Sequence, residues 1–164
     1  MENVKTSLSR RHLLSLGAGT TAISILVNRM TTAQGVTPIW RKFNLASIKL
    51  VFATIDQMKV EEFVAFFTED AQFRFGNTDT VFGKQEIRVA ITEFFSSIQG
   101  LNHNITGVWK GKWPMGDVVS VEANVTYIRQ DGIVVILPAT STLRLKGNLI
   151  QDYRIFMDIS PVFT

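Results

Sequence analysis

Apolar side chains fall at Leu45, Ile48, Phe52 and Ile55, spacings of three and four that draw one stripe along a helix over 44–57. A second helix is predicted over 59–67, with Val60, Phe63, Val64 and Phe67 on one side and Glu61 and Glu62 on the other. Glu69-Asp70 closes it. Ala71-Gln72-Phe73-Arg74-Phe75 alternates like a short strand, and Gly76-Asn77-Thr78-Asp79 stops it. Gly83 precedes a third helix over 84–98, with Ile87, Ile91, Phe94, Phe95 and Ile98 turned inward.

After Gly100 the period changes to two. Strands are predicted over 101–109, 118–129, 133–145 and 149–159, joined by Gly111–Asp117, Asp131-Gly132 and Lys146-Gly147-Asn148. Asp-Gly between two β-rich runs is a strong hairpin signal, because both residues tolerate the backbone of a tight turn. Helices followed by a meander of long antiparallel strands make an α+β domain, with the helices covering one face of the sheet.

Strand alternation then sorts the side chains by face. Val119, Val121, Ala123, Val125, Tyr127 and Arg129 form the apolar parity of one strand, and Leu101, His103, Ile105, Gly107 and Trp109 that of its neighbour. Tyr153, Ile155, Met157 and Ile159 share a face of the last strand, with Asp152, Arg154, Phe156 and Asp158 on the other.

The N-terminus follows neither period. Ser9-Arg10-Arg11-His12-Leu13-Leu14, an apolar stretch to Val27 and the small residues Thr31-Thr32-Ala33 have the layout of an export signal. The arginine pair points to the twin-arginine (Tat) export machinery. Cleavage is expected after Ala33, leaving 34–164 as one domain in the periplasm or outside the cell. The apolar stretch is too short, and too rich in Gly, Ser and Thr, for a stable membrane span.

Charge changes meaning in this light. The chain of 164 residues carries a formal net charge of +3. Lys5, Arg10, Arg11 and Arg29 against Glu2 account for the whole excess, so residues 34–164 are formally neutral. That removes the basic footprint a nucleic-acid partner would need. Cysteine is absent, which excludes disulfides, thiolate metal sites and cysteine nucleophiles. Of two histidines only His103 lies beyond the signal, so no metal centre is expected.

Phe66-Phe67-Thr68-Glu69-Asp70-Ala71, Val81-Phe82-Gly83-Lys84-Gln85-Glu86-Ile87, Arg144-Leu145-Lys146-Gly147-Asn148-Leu149-Ile150 and Asp152-Tyr153-Arg154-Ile155-Phe156-Met157-Asp158 resemble the nuclear transport factor 2-like superfamily, in its SnoaL-like or ketosteroid-isomerase-like branch. The resemblance covers nearly all of 42–162. It implies a cone-shaped α+β barrel, a curved antiparallel sheet wrapped on N-terminal helices around an apolar cavity. It also implies isomerase, cyclase, dehydratase, epoxide-hydrolase or purely binding roles, and a homodimer through the outer sheet face.

The family's reactive groups mostly do not carry over. The isomerases' carboxylate base falls on Phe75, their helix tyrosine on Val51 and their protonated acid near Thr140 or Ser141. Of the epoxide hydrolases' set, Arg129-Gln130-Asp131 matches an Arg-x-Asp pair in type. The second aspartate falls on Ile155, and the water-holding tyrosine and asparagine fall on Phe73 and Phe75.

His103 therefore leads the candidates for acid–base work, since imidazole suits proton transfer near neutrality. Tyr127 and Asp131 are its candidate helpers. Phe73, Phe75, Trp109, Arg129, Tyr153 and Met157 are the candidate ligand-binding residues. Arg129 and Asp131 also fit a simple ion pair at a hairpin end. Asp158 fits either a pair with Arg154 or a turn cap before Ser160-Pro161. Two functions follow as expectations. One is an isomerase, cyclase or dehydratase that needs no cofactor and acts on a small hydrophobic, oxygenated molecule. The other is a non-catalytic small-ligand-binding or dimeric scaffold protein.

Overall fold

Asn44 starts the first helix with a reciprocal cap. Its side chain accepts from the Ser47 N–H at 3.1 Å, and Ser47 Oγ accepts from the Asn44 N–H at 3.3 Å. The computed structural model describes residues 44–164, so the expected export signal and the boundary at residue 33 lie outside the described residues. The elements run α1 (Leu45–Asp56), α2 (Val60–Val64), β1 (Phe67–Phe75), β2 (Val81–Phe82), α3 (Lys84–Ser96), β3 (Ile98–Trp113), β4 (Gly116–Arg129), β5 (Val134–Lys146), β6 (Leu149–Phe156) and α4 (Ser160–Phe163).

The fold is α+β, a curved six-stranded sheet carrying helices on one face. The strand order is β2-β1-β6-β5-β4-β3. β3 to β6 form the antiparallel meander, and β1 joins β6 in parallel. The core lies between the inner sheet face and the helices. Ile48, Val51 and Phe52 of α1 and Ile87 of α3 are buried there with Val121, Val125, Leu143 and Tyr153.

Several boundaries differ from the sequence reading. The second helix stops at Val64, because Phe66 and Phe67 are drawn into the sheet. The Ile150 N–H donates to the Phe66 carbonyl at 2.8 Å, and Phe67 sits opposite Ile150. The first strand thus begins at Phe67, not at residue 71. The connector expected over 111–117 is mostly strand, and β3 and β4 pair out to Trp113 and Gly116. The last strand ends at Phe156. Asp158 caps the turn that follows, its Oδ1 accepting from the Ser160 N–H at 3.0 Å. Arg154 pairs with Asp152, at 3.0 Å, rather than with Asp158.

The largest correction concerns Trp109. The register shifts between Ile105 and Gly107, so Thr106 is an extra residue in β3 and the facing of every later side chain inverts. Val108 turns inward opposite Val121, and Trp109 turns outward opposite Ser120. Trp109 is 53% exposed on the outer face, with its indole lying over Gly107. A Cβ at residue 107 would run into that ring, so the bulge and the glycine work together.

Candidate functional site

α1 ends in a Schellman motif. The Lys59 N–H donates to the Thr54 carbonyl at 2.9 Å and the Met58 N–H to the Ile55 carbonyl at 2.8 Å. Met58 adopts φ 52°, the left-handed conformation that this motif requires and that an L side chain resists. The motif fixes Asp56, the last residue of α1, against the sheet.

β3 is an edge strand, so alternate backbone N–H groups along it face no neighbouring strand. The N–H of His103 is one of them. Asp56 satisfies it with both carboxylate oxygens, at 3.1 and 3.3 Å. The same carboxylate lies 2.6 Å from His103 Nδ1. A carboxylate accepts, so Nδ1 carries the proton and Nε2 is the ring nitrogen left for the cavity. Phe52 packs edge-on against the imidazole, with centroids 4.9 Å apart. The His103 side chain is 7% exposed and that of Asp56 21%.

His103 forms part of the wall of an interior cavity otherwise built from Phe63, Phe73, Phe75, Phe94 and neighbouring aliphatic side chains, with Tyr127 and Tyr153. Its volume is about 30 Å³, room for a water or two, so a larger ligand enters only as the wall side chains move apart. Among the described residues, the polar groups of this wall are one imidazole and two phenols. Tyr153 donates to Ser141 Oγ at 3.3 Å, while among the described residues Tyr127 has only the thioether sulfur of Met157, at 3.5 Å. Burial pushes both phenols above their ordinary value of 10.0, and the Asp56 charge adds to the shift. Both therefore stay protonated as hydrogen-bond donors, and Tyr127 has an acceptor that any ligand oxygen would better.

The structure thus gathers His103, Tyr127, Phe73, Phe75 and Tyr153 at one cavity, with Met157 behind the Tyr127 hydroxyl. It does not bring the other candidates there. Trp109 is on the outer face for the reason given above. Arg129 and Asp131 form an ion pair of 2.9 Å at the hairpin end, where Asp131 Oδ1 also accepts from the Ile133 N–H at 3.0 Å. That contact ties Asp131 into its own turn and keeps it from the interior. The sequence reading missed Asp56. The available signal was an acid in the last turn of a helix, where the helix dipole disfavours negative charge. An acid there needs a compensating partner.

The profile of the SnoaL-like domain family matches residues 48–153. No curated protein sequence matches the chain. Among solved structures, a ketosteroid-isomerase-like hypothetical protein from Catenulispora acidiphila, in complex with trimethylamine, is 16% identical with a TM-score of 0.61, covering 70% of this chain and 87% of that one. A proposed SnoaL-like polyketide cyclase from Jannaschia sp. CCS1 is 18% identical with a TM-score of 0.58, over 71% and 88% of the two chains. A proposed dehydratase of the NTF2-like family from Streptomyces avermitilis is 10% identical with a TM-score of 0.56, over 68% and 91%. At these identities the likeness is one of fold.

Proposed function

The chain belongs to the SnoaL-like domain family, and from that premise we propose that it is a cofactor-independent proton-transfer enzyme acting on a small hydrophobic, oxygenated molecule. The observation that carries this is the 2.6 Å contact of Asp56 with His103 Nδ1 at the wall of a largely apolar cavity that also holds the Tyr127 hydroxyl. Asp56 fixes the tautomer and stabilises the imidazolium that forms, so Nε2 acts as general base. The Tyr127 hydroxyl donates to the oxygen that gains negative charge when a neighbouring C–H is deprotonated. The proton then returns from Nε2 to another atom of the same molecule, which gives isomerisation, or to a departing hydroxyl, which gives dehydration. No step calls for a metal or an organic cofactor.

Export by the Tat route, with cleavage after Ala33, belongs to the same proposal and rests on Arg10-Arg11 and the segment that follows. So does a homodimer through the outer sheet face, where Val134, Ile136 and Phe156 are exposed. A nucleic-acid partner has no place in it, because residues 34–164 are formally neutral.

The test is deuterium uptake. The protein is incubated in D₂O with small cyclic ketones and β-hydroxyketones, and C–H exchange is followed by NMR. Wild type is expected to accelerate exchange in at least one compound and His103→Gln to abolish it. Exchange that survives in the variant removes the proposal. The second reading, a binding protein without chemistry, is favoured by one observation: the family's carboxylate positions hold Phe75 and Ile155 on the cavity wall. It predicts bound ligand with no exchange in either protein.

A further inference from the structure

A second cavity, of about 450 Å³, lies outward of the first between β1, α3 and α4. The two share the side chains of Phe73, Phe75, Ile91 and Phe94 as a common wall. Phe94 stands in the middle of that wall. Its ring is 6.2 Å from Tyr127 on the inner side and 6.5 Å from Phe163 on the outer side, and meets Phe75 edge-on at 4.6 Å. The outer cavity is therefore walled by four phenyl rings, of Phe73, Phe75, Phe94 and Phe163.

Its charged side chains are both acidic. Asp79 and Glu93 line it, and among the described residues no Lys or Arg does. Neither carboxylate makes an ion pair or a side-chain hydrogen bond among the described residues, in contrast to Glu61, Glu69 and Asp70, each of which has a basic partner. The cavity thus combines an aromatic wall with two carboxylates that have no basic partner among the described residues. An anion meets repulsion from both carboxylates. A neutral apolar molecule gains the contact area alone. An organic ammonium ion gains the contact area, the aromatic wall and the carboxylates together.

We propose that this outer cavity, walled by Phe73, Phe75, Phe94 and Phe163 and edged by Asp79 and Glu93, binds organic ammonium cations.

The test titrates the full chain with phenyltrimethylammonium, its neutral isostere tert-butylbenzene and the anion benzenesulfonate, each followed by ligand proton NMR. Phenyltrimethylammonium is expected to bind with upfield-shifted N-methyl protons. Asp79→Asn combined with Glu93→Gln is expected to weaken it about tenfold, and added salt to weaken it in wild type but much less in the double variant. Both side chains are exposed and unpaired among the described residues, so the variant is expected to fold as wild type does. Benzenesulfonate is expected not to bind. Equal affinity for tert-butylbenzene and phenyltrimethylammonium, or an unchanged affinity in the double variant, overturns the proposal. His103→Gln separates the two readings: it is expected to leave cation affinity unchanged, so deuterium exchange that survives in that variant would remove the enzyme and leave the cation site standing.

Discussion

Asp56 and His103 are 47 positions apart in sequence, and the carboxylate of the first makes two kinds of contact with the second: 2.6 Å to the ring Nδ1 and 3.1 Å to the backbone N–H. One group thereby orients the imidazole and completes the edge of the sheet. Asp56→Asn separates these duties. The amide oxygen can still accept from the backbone, but a neutral amide neither enforces one tautomer nor stabilises an imidazolium. Exchange activity is expected to fall about 10²–10⁴-fold, with a melting temperature close to that of wild type. Nitrogen NMR of the ring is expected to show Nδ1 protonated in wild type and a tautomer mixture in the variant. A variant with wild-type exchange rates would make the carboxylate purely structural.

The two tyrosines are expected to respond differently to loss of their hydroxyls. Tyr127 donates to a thioether at 3.5 Å, so Tyr127→Phe is expected to cost under about 1 kcal/mol of stability, the scale of an ordinary hydrogen bond. Its activity is expected to drop through the rate, because the lost donor faces charge that builds up only during reaction. Tyr153 is fully buried and bonded to Ser141, which is itself buried. Tyr153→Phe leaves Ser141 without that partner and is expected to cost about 1–2 kcal/mol with a smaller effect on rate. Denaturant unfolding and exchange kinetics on both variants check the contrast.

Alkaline titration tests the burial of the same pair. These are the two tyrosines of the whole chain, so phenolate absorbance reports on them alone. Burial raises both above 10.0, so the folded protein holds these protons more tightly than the unfolded chain does. Stability is therefore full below pH 10 and declines as pH rises beyond it. The expected trace shows no ionisation at pH 10 and a single rise that coincides with loss of circular dichroism. A phenol titrating near pH 10 in the folded protein would place one hydroxyl in water.

Most of the fold was legible because most of it is local. The stripe Leu45, Ile48, Phe52 and Ile55, and the Asp131-Gly132 hairpin, each declare themselves within a few residues. What escaped depends on partners distant in sequence. Phe66 and Phe67 are strand residues because β6 lies beside them, some 80 positions later. Trp109 fits an inward parity until one extra residue at Thr106 inverts the strand, and a bulge of that kind has no pattern of its own. The site divides in the same way. His103 was legible as the sole histidine on an apolar face. Asp56 was not, because its role is set by which strand edge the end of α1 meets.

The outer sheet face supplies the contrast that isolates the site. Asp152 is buried on the parity opposite to Tyr153. It holds Arg144 through Oδ2 at 2.6 Å and Arg154 through both oxygens, at 3.0 and 3.1 Å. Arg74, whose Nε is buried without a partner among the described residues, sits directly opposite Arg154 on β1. Asp152→Ala would leave three guanidinium groups side by side with their counter-charge removed. Breaking a fully buried pair costs about 3–5 kcal/mol. Here the two paired arginine side chains are 29% and 39% exposed and recover part of their hydration, so about 2–3 kcal/mol is expected. Added salt is expected to return some of that loss by screening the repulsion among the arginines. Exchange activity, measured well below the lowered melting temperature, is expected to stay at the wild-type level. The sheet separates Asp152 from the cavity, so a loss of activity equal to that of Asp56→Asn would mean that the two faces are coupled and that the dyad does not act alone.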